Sequence, residues 1–149
     1  MGLRILLAED HAIVREGLKA ILEREGFDVI GEAADGREAV QQALRLEPEI
    51  ALLDLSMPFK NGIEAASEIL SALPATRAII LTAHSDRQYI LQAFRSGVRG
   101  YILKTRAVAE LKEAIHQVAK GRVYLSPDIP HDLIEPYRSR NQDPEQIKP

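Results

Sequence analysis

The chain has 149 residues, 46% of them hydrophobic and 28% charged, with a formal net charge of −3. That is enough for one domain with a real core, and too little charge of one sign for a broad footprint on nucleic acid. Cysteine is absent, which excludes a disulfide framework and a thiolate metal site. No apolar run reaches the roughly 18–20 residues that span a bilayer.

The N-terminus, "MGLRILLAED", has a short apolar run followed at once by acids, with no small-residue cleavage site. It reads as a first strand, residues 4–9, rather than a signal peptide, and points to the cytosol. A helix follows over 12–25, with Ile13, Val14, Leu18, Ile21 and Leu22 at helical spacing and Gly26 as its stop. Residues 27–33 form a second strand, and a helix over 36–47 ends at Pro48. The third strand is "IALLD", 50–54. Asn61 caps a helix that runs to about Ser71, and Pro74 follows. "RAIILT", 77–82, is the fourth strand, and Asp86 is placed to cap a helix from Arg87 to Arg95 closed by Gly97. "GYILK", 100–104, is the fifth strand, and 107–120 the last helix, stopped by Gly121.

Five strand–helix units in strict alternation, with strands apolar on both faces, predict a parallel sheet covered by helices on each side. Right-handed crossovers make this a doubly wound α/β sandwich. Residues 1–122 are therefore expected to form the domain. Beyond it, five of the eight prolines (Pro127, Pro130, Pro136, Pro144, Pro149) fall among polar and charged residues. Residues 123–149 thus read as a linker-like tail, with one short helical turn around "HDLIEPY".

In a doubly wound sheet, ligands sit beyond the carboxyl ends of the strands. Strand one ends in Glu9 and Asp10, strand three in Asp54, strand four in Thr82 and strand five in Lys104. Each alone is bland, since strand-end acids often serve as caps. Together they suit phosphoryl transfer. Clustered carboxylates repel unless a hard cation neutralises them, and Mg²⁺ takes one or two carboxylates plus water and phosphate oxygens. A carboxylate can itself be the nucleophile, with a lysine and a hydroxyl orienting the phosphoryl oxygens. Asp54, mounted at the end of an apolar strand, is the expected nucleophile.

Residues from about Leu3 to Gly121 resemble the receiver domain of two-component response regulators. The resemblance is carried by the acidic pair Glu9–Asp10, "LLDLSMPFKNG" around Asp54, "LTAH" with Thr82, and "GYILK" with Lys104. It implies a flavodoxin-like (βα)5 fold with sheet order 2-1-3-4-5. It also implies Mg²⁺ held by Asp10, Asp54 and the Ser56 carbonyl, with Glu9 acting mostly through water. Phosphate would come from the phosphohistidine of a sensor histidine kinase or from a small phosphodonor. Such a domain is a switch and not an enzyme in the ordinary sense, since it catalyses only its own phosphoryl transfer and autodephosphorylation. "DHAIVREGL" and "YLSPDI" are similar to the LuxR-type subgroup, whose output is a helix-turn-helix. Those output residues are not in this chain, so it is expected to be a receiver with its linker or a stand-alone receiver, touching DNA only through a missing domain. The resemblance further implies homodimerisation on phosphorylation, through the fourth or fifth helix region. One departure stands out: many family members follow the strand-five lysine with proline, and here Thr105 follows Lys104.

By the same resemblance Tyr101 is an aromatic switch acting with Thr82, Ala83 leaves room for a phosphodonor, and Ser56 and His84 tune hydrolysis of the phosphoryl group. Ordinary packing for Tyr101 and Ala83, and solvent-facing loop positions for Ser56 and His84, are the alternatives. His11 and His116 show no metal-spaced partner, and Arg37, Glu38, Glu110, Lys112 and Glu113 read as solvated helix faces. Val14, Leu18 and Ile21, like Leu111, Ile115 and Val118, read as core. Two rival readings fare worse. A haloacid-dehalogenase-type phosphatase needs a second acid two residues after its nucleophile to protonate the leaving group, where Ser56 stands. A nucleotide-binding protein would follow the first strand with a glycine-rich phosphate loop, where "AEDHAIVREG" supplies acids.

Overall fold

The computed structural model describes residues 2–137. The elements follow in the expected alternation: β1 (Arg4–Ala8), α1 (Ala12–Arg24), β2 (Asp28–Ala33), α2 (Gly36–Leu46), β3 (Ile50–Asp54), α3 (Gly62–Ala72), β4 (Arg77–Thr82), α4 (Arg87–Arg95), β5 (Gly100–Leu103) and α5 (Ala107–Ala119). All strands pair in parallel, in the order β2-β1-β3-β4-β5 with one further strand, β6 (Tyr124–Leu125), beyond β5.

Alternation along each strand sorts side chains to the two faces. Leu6, Ala8, Ala51, Leu53, Ala78, Ile80 and Tyr101 pack on one side with buried residues of α2, α3 and α4. Ile5, Leu7, Ile50, Leu52, Ile79, Leu81 and Ile102 pack on the other with α1 and α5. Both faces are apolar because both are covered, which is why the strands read as continuous hydrophobic runs.

Local signals explain the boundaries. Asn61 and Glu64 form a reciprocal capping box at the start of α3, each side chain accepting from the other's backbone N–H at 2.8 Å. Asp35 caps α2 by accepting from Glu38 N at 2.7 Å. Asp86 occupies the N-cap position of α4 but its side chain accepts no capping hydrogen bond.

The structure departs from the sequence reading in three places. The first is α1, where Ile13 is 85% exposed and Val14 also faces solvent, leaving Leu18 and Leu22 as the buried positions. Ile21, the remaining expected position, is partly buried and packs against the core beside them. The second is Glu110, which is buried rather than solvated. It accepts from Arg106 Nε at 2.8 Å, from Tyr124 OH at 3.1 Å and from Ser126 Oγ at 2.8 Å, so its charge is paired and hydrogen-bonded, as a buried carboxylate requires.

The third lies past residue 122, where the chain continues the domain. Ser126 N donates to the Tyr101 carbonyl and Leu103 N to Ser126 Oγ, each at 3.1 Å. A 3-10 turn at His131–Ile134 then lies on α4, and Leu125, Ile129, Leu133 and Ile134 join the core on that side. Polar residues and prolines dominate the segment's composition, but its few apolar side chains are the ones that dock. The rest of the tail, 138–149, lies outside the described residues.

Candidate functional site: an acidic cleft at the strand ends

The strand order brings the predicted residues to one rim. β3 lies between β1 and β4, with β5 next to β4, so Asp54 is flanked by Glu9 and Asp10 on one side and by Thr82 and Lys104 on the other. Gly62 permits this mounting: a Cβ there would collide with the Asp54 carbonyl, and Gly62 N donates to the Leu55 carbonyl at 2.8 Å. The loop between β3 and α3 is thereby folded tightly over the strand end.

Glu9 is 1% exposed and Asp54 3%. One ammonium serves both: Lys104 Nζ lies 3.0 Å from Asp54 Oδ2 and 3.0 Å from Glu9 Oε1. The Glu9 contact is an ion pair only, because Glu9 Oε1 accepts no hydrogen bond, and neither does the shielded Asp10 Oδ1. Glu9 Oε2 accepts from His11 N at 3.1 Å, and Arg15 Nη1 donates to the Glu9 carbonyl at 2.7 Å. Two buried acids sharing one cation leave the cluster short of positive charge.

That shortage shows in the proton affinities. Burial pushes the Asp54 carboxyl up to about 6, against the pull of the Lys104 hydrogen bond and with the Glu9 charge adding to the rise. Burial works on Glu9 in the same direction, but the His11 amide and the Lys104 ammonium outweigh it and hold that carboxyl below its usual range. Burial tends to lower the Lys104 ammonium as well, yet Asp54 and Glu9 hold it above its usual value. Glu9 is thus the more firmly ionised acid.

The residues on the far side form a short relay. Thr82 is buried and its Oγ1 accepts from His84 N at 3.0 Å. The fully buried Tyr101 donates its hydroxyl to the His84 carbonyl at 2.8 Å. Thr82, His84 and Tyr101 are therefore connected through one loop. The His84 side chain reaches out from that loop to lie 5.7 Å, centroid to centroid, from the Tyr89 ring. Ala83 and Ser56 are exposed, and Ser56 N donates to Asp54 Oδ1 at 3.4 Å. Asp10, Ser56 and His84 line one open cleft of about 390 Å³, together with Met57, Pro58, Asn61 and Tyr89. After Lys104 the chain turns in a 3-10 loop, Lys104–Arg106, straight into α5, so Thr105 supplies a compact turn where proline is absent.

Sequence reasoning missed two members. Arg15 and Tyr89 carried no signal, since their roles depend on how α1 and α4 lie over the rim. His11 is a correction: its Nδ1 lies 3.2 Å from Asp10 Oδ1 and 3.3 Å from Glu9 Oε2. The contiguous "EDH" at a strand end was the available signal.

The donor set fits a hard divalent cation. It offers shielded carboxylate oxygens without hydrogen-bond partners at the edge of an open cleft, with net negative charge and room for the waters that Mg²⁺ retains. The acidic cluster Glu9–Asp10–His11 brings its donor atoms within 4.8 Å of one another.

Residues 5–116 match the family described as "Response regulator receiver domain". The chain is similar to the transcriptional regulatory protein DegU of Brevibacillus brevis, with 34% identity over 97% of this chain and 61% of that protein. It is also similar to the oxygen regulatory protein NreC of Staphylococcus carnosus, with 36% identity over 91% of this chain and 63% of that protein. The chain thus spans less than two thirds of the length of these relatives. Among solved structures, a LuxR-family two-component response regulator from Aurantimonas sp. SI85-9A1 superposes with a TM-score of 0.84 at 39% identity, covering 92% of this chain and 99% of that one. No helix among the described residues is long and apolar enough to cross a membrane. With the strand-end acids, the hydroxyl and the lysine on one rim of a 2-1-3-4-5 sheet, the chain belongs to the response regulator receiver domain family.

Proposed function

We propose that this domain is a phosphorylation switch whose phosphoacceptor is Asp54. The observation that carries the reading is the placement of one buried carboxylate, short of positive charge, against Lys104 and beside an open acidic cleft. An Asp54 oxygen attacks the phosphorus of a donor, the phosphohistidine of a sensor kinase or a small acyl phosphate. The new O–P bond forms as the donor's P–N or P–O bond breaks, and the leaving group departs with that electron pair. Lys104 neutralises the phosphoryl oxygens, and Thr82 supplies a hydroxyl to another. Asp10, Asp54 and the Ser56 carbonyl would hold Mg²⁺, with Glu9 supporting through water; the ion supplies charge neutralisation between carboxylate and phosphate. Ala83 leaves the approach open, and Ser56 and His84 border the path of the water that removes the group again in autodephosphorylation.

The output follows from the Thr82–His84–Tyr101 relay, which links the site to β5 and to the α4 side of the domain. Phosphorylation shifts a two-state equilibrium toward a form that self-associates through the α4–α5 region. Moving from about 1:99 to 99:1 needs roughly 5.5 kcal/mol, within reach of a dianion held by Lys104, Thr82 and a metal. Within a longer protein of the kind its relatives are, the domain acts in the cytoplasm and controls transcription through a LuxR-type helix-turn-helix. A net charge of −3 argues against the basic stripe that phosphate contacts require.

Acetyl phosphate with Mg²⁺ should add one phosphoryl group, read by intact mass. Asp54→Asn should abolish it, and a label that persists in that variant would place the nucleophile elsewhere. Light scattering with a phosphoryl analogue tests the dimer; an unchanged mass would remove that part of the reading.

A further inference from the structure

We propose that His11 is an additional protein ligand in the metal site, and that it moves the preference of that site from Mg²⁺ toward first-row transition ions, Co²⁺ more than Mn²⁺. The inference rests on reading the acidic cleft as a divalent-metal site. The geometry is specific. Donors on adjacent corners of an octahedron, with bonds of about 2.1 Å, stand roughly 3.0 Å apart. The imidazole Nδ1 of His11 is 3.2 Å from Asp10 Oδ1, so it already stands where a neighbour of that ligand would, and its 3.3 Å hydrogen-bond contact with Glu9 Oε2 fixes the ring there.

The backbone that carries these groups is fixed. His11 N donates to Glu9 Oε2, Arg15 Nη1 holds the Glu9 carbonyl, and Arg15 N donates to the His11 carbonyl at 2.9 Å. His11 sits at the N-cap of α1 with no side-chain capping bond, so its ring is not spent on the helix. Asp10 Oδ1 is shielded from water yet accepts no hydrogen bond, and Glu9, almost completely buried, has an oxygen in the same condition. Lys104 Nζ already stands 3.0 Å from that Glu9 oxygen, so the Asp10 oxygen is the one left for a metal. The His11 side chain is 72% exposed and closes the cluster from the solvent side. Mg²⁺ favours oxygen donors and sheds water reluctantly, whereas imidazole suits later first-row ions. Carboxylate and carbonyl oxygens alone suit Mg²⁺ and Mn²⁺, and an added nitrogen shifts the set toward the later ions.

The test uses the full chain with Mn²⁺ as spectroscopic probe. Pulsed electron paramagnetic resonance should show a coupled ¹⁴N nucleus in the Mn²⁺-loaded protein, and His11→Ala should lose it. Titrations of the same two proteins with Mg²⁺, Mn²⁺ and Co²⁺ should show about a tenfold loss of Co²⁺ affinity in the variant, a smaller loss for Mn²⁺ and less than a twofold change for Mg²⁺. Absence of nitrogen coupling in the unmodified protein, its survival in His11→Ala, or an equal loss for all three ions would each overturn the proposal. Asp10→Ala separates the two readings. If that variant binds all three ions as the unmodified protein does, the cleft is not the metal site at all. If it loses them while His11→Ala behaves like the unmodified protein, only the role of His11 fails.

Discussion

Asp54 works against the stability of the domain that carries it. Its carboxyl ionises near the ordinary 3.8 in the unfolded chain and, chiefly through burial, near 6 in the folded one. A group whose folded value is raised contributes stability below its unfolded value and loses it as the pH climbs through the folded one. In metal-free protein that loss falls between about pH 4 and 6. Asp54→Asn removes the buried charge while leaving Lys104 its contact with Glu9. We expect the variant to be more stable than the unmodified protein by about 1–3 kcal/mol at pH 7 without metal, and by much less at pH 4. Urea unfolding at both pH values, in the presence of a chelator, reads the difference; equal gaps at the two pH values would show that burial of this charge costs nothing. The convergence of Asp54, Thr82 and Lys104 on one rim was legible in the sequence, because each sits at the end of a strand that the apolar pattern delimits. The contact of His11 with both acids was not, since its spacing in the sequence offers no metal partner until the backbone turns its ring onto them.

At the scale of elements, the clasp around Glu110 ties the end of the domain to α5 and β5. One carboxylate gathers Arg106, Tyr124 and Ser126, and Ser126 Oγ also accepts from Leu103 N, one residue before Lys104. Glu110→Ala would leave the buried Ser126 hydroxyl without its acceptor, at a cost of about 1–3 kcal/mol, seen as a lower unfolding midpoint. Burial, and after it the Glu110 carboxylate, push the Tyr124 phenol up to about 12. The same variant should therefore bring that phenol back toward its ordinary 10.0, measured by tyrosinate absorbance. An unmoved titration would mean that the carboxylate does not face the ring in solution. Sequence reading placed Glu110 among solvated helix charges because a lone glutamate on an amphipathic helix usually is one. What buries it is a segment beyond the helix, and spacing within α5 carries no trace of that segment. The helices and strands before Gly121 were legible to within a residue or two, for the opposite reason: their periodicity and stop residues are local.

For the molecule as a whole, the parallel sheet was readable from alternation and its order 2-1-3-4-5 from the resemblance, whereas β6 was not. A two-residue strand just before Pro127 has too few positions to show a period. Its effect is still large, since Leu125, Ile129, Leu133 and Ile134 join the core that faces α4. Ile134→Ala, at a fully buried position, should cost about 2–5 kcal/mol in chemical denaturation. A loss well under 1 kcal/mol would mean that the segment is detached in solution.

The strand order also dictates a sequence of events while the chain is being made. Once β2 and β1 have paired, every later strand adds to the same side: β3 on β1, then β4, β5 and finally β6. Each arrival covers the backbone edge left by its predecessor and offers a fresh one, and such an edge invites pairing with another chain. A partly synthesised receiver therefore carries one growing, adhesive border until Tyr124 and Leu125 emerge. Growth stops there because the chain turns away at Pro127 and lays Ile129, Leu133 and Ile134 on the helix side. The shortest strand in the sheet is the one that ends the accretion.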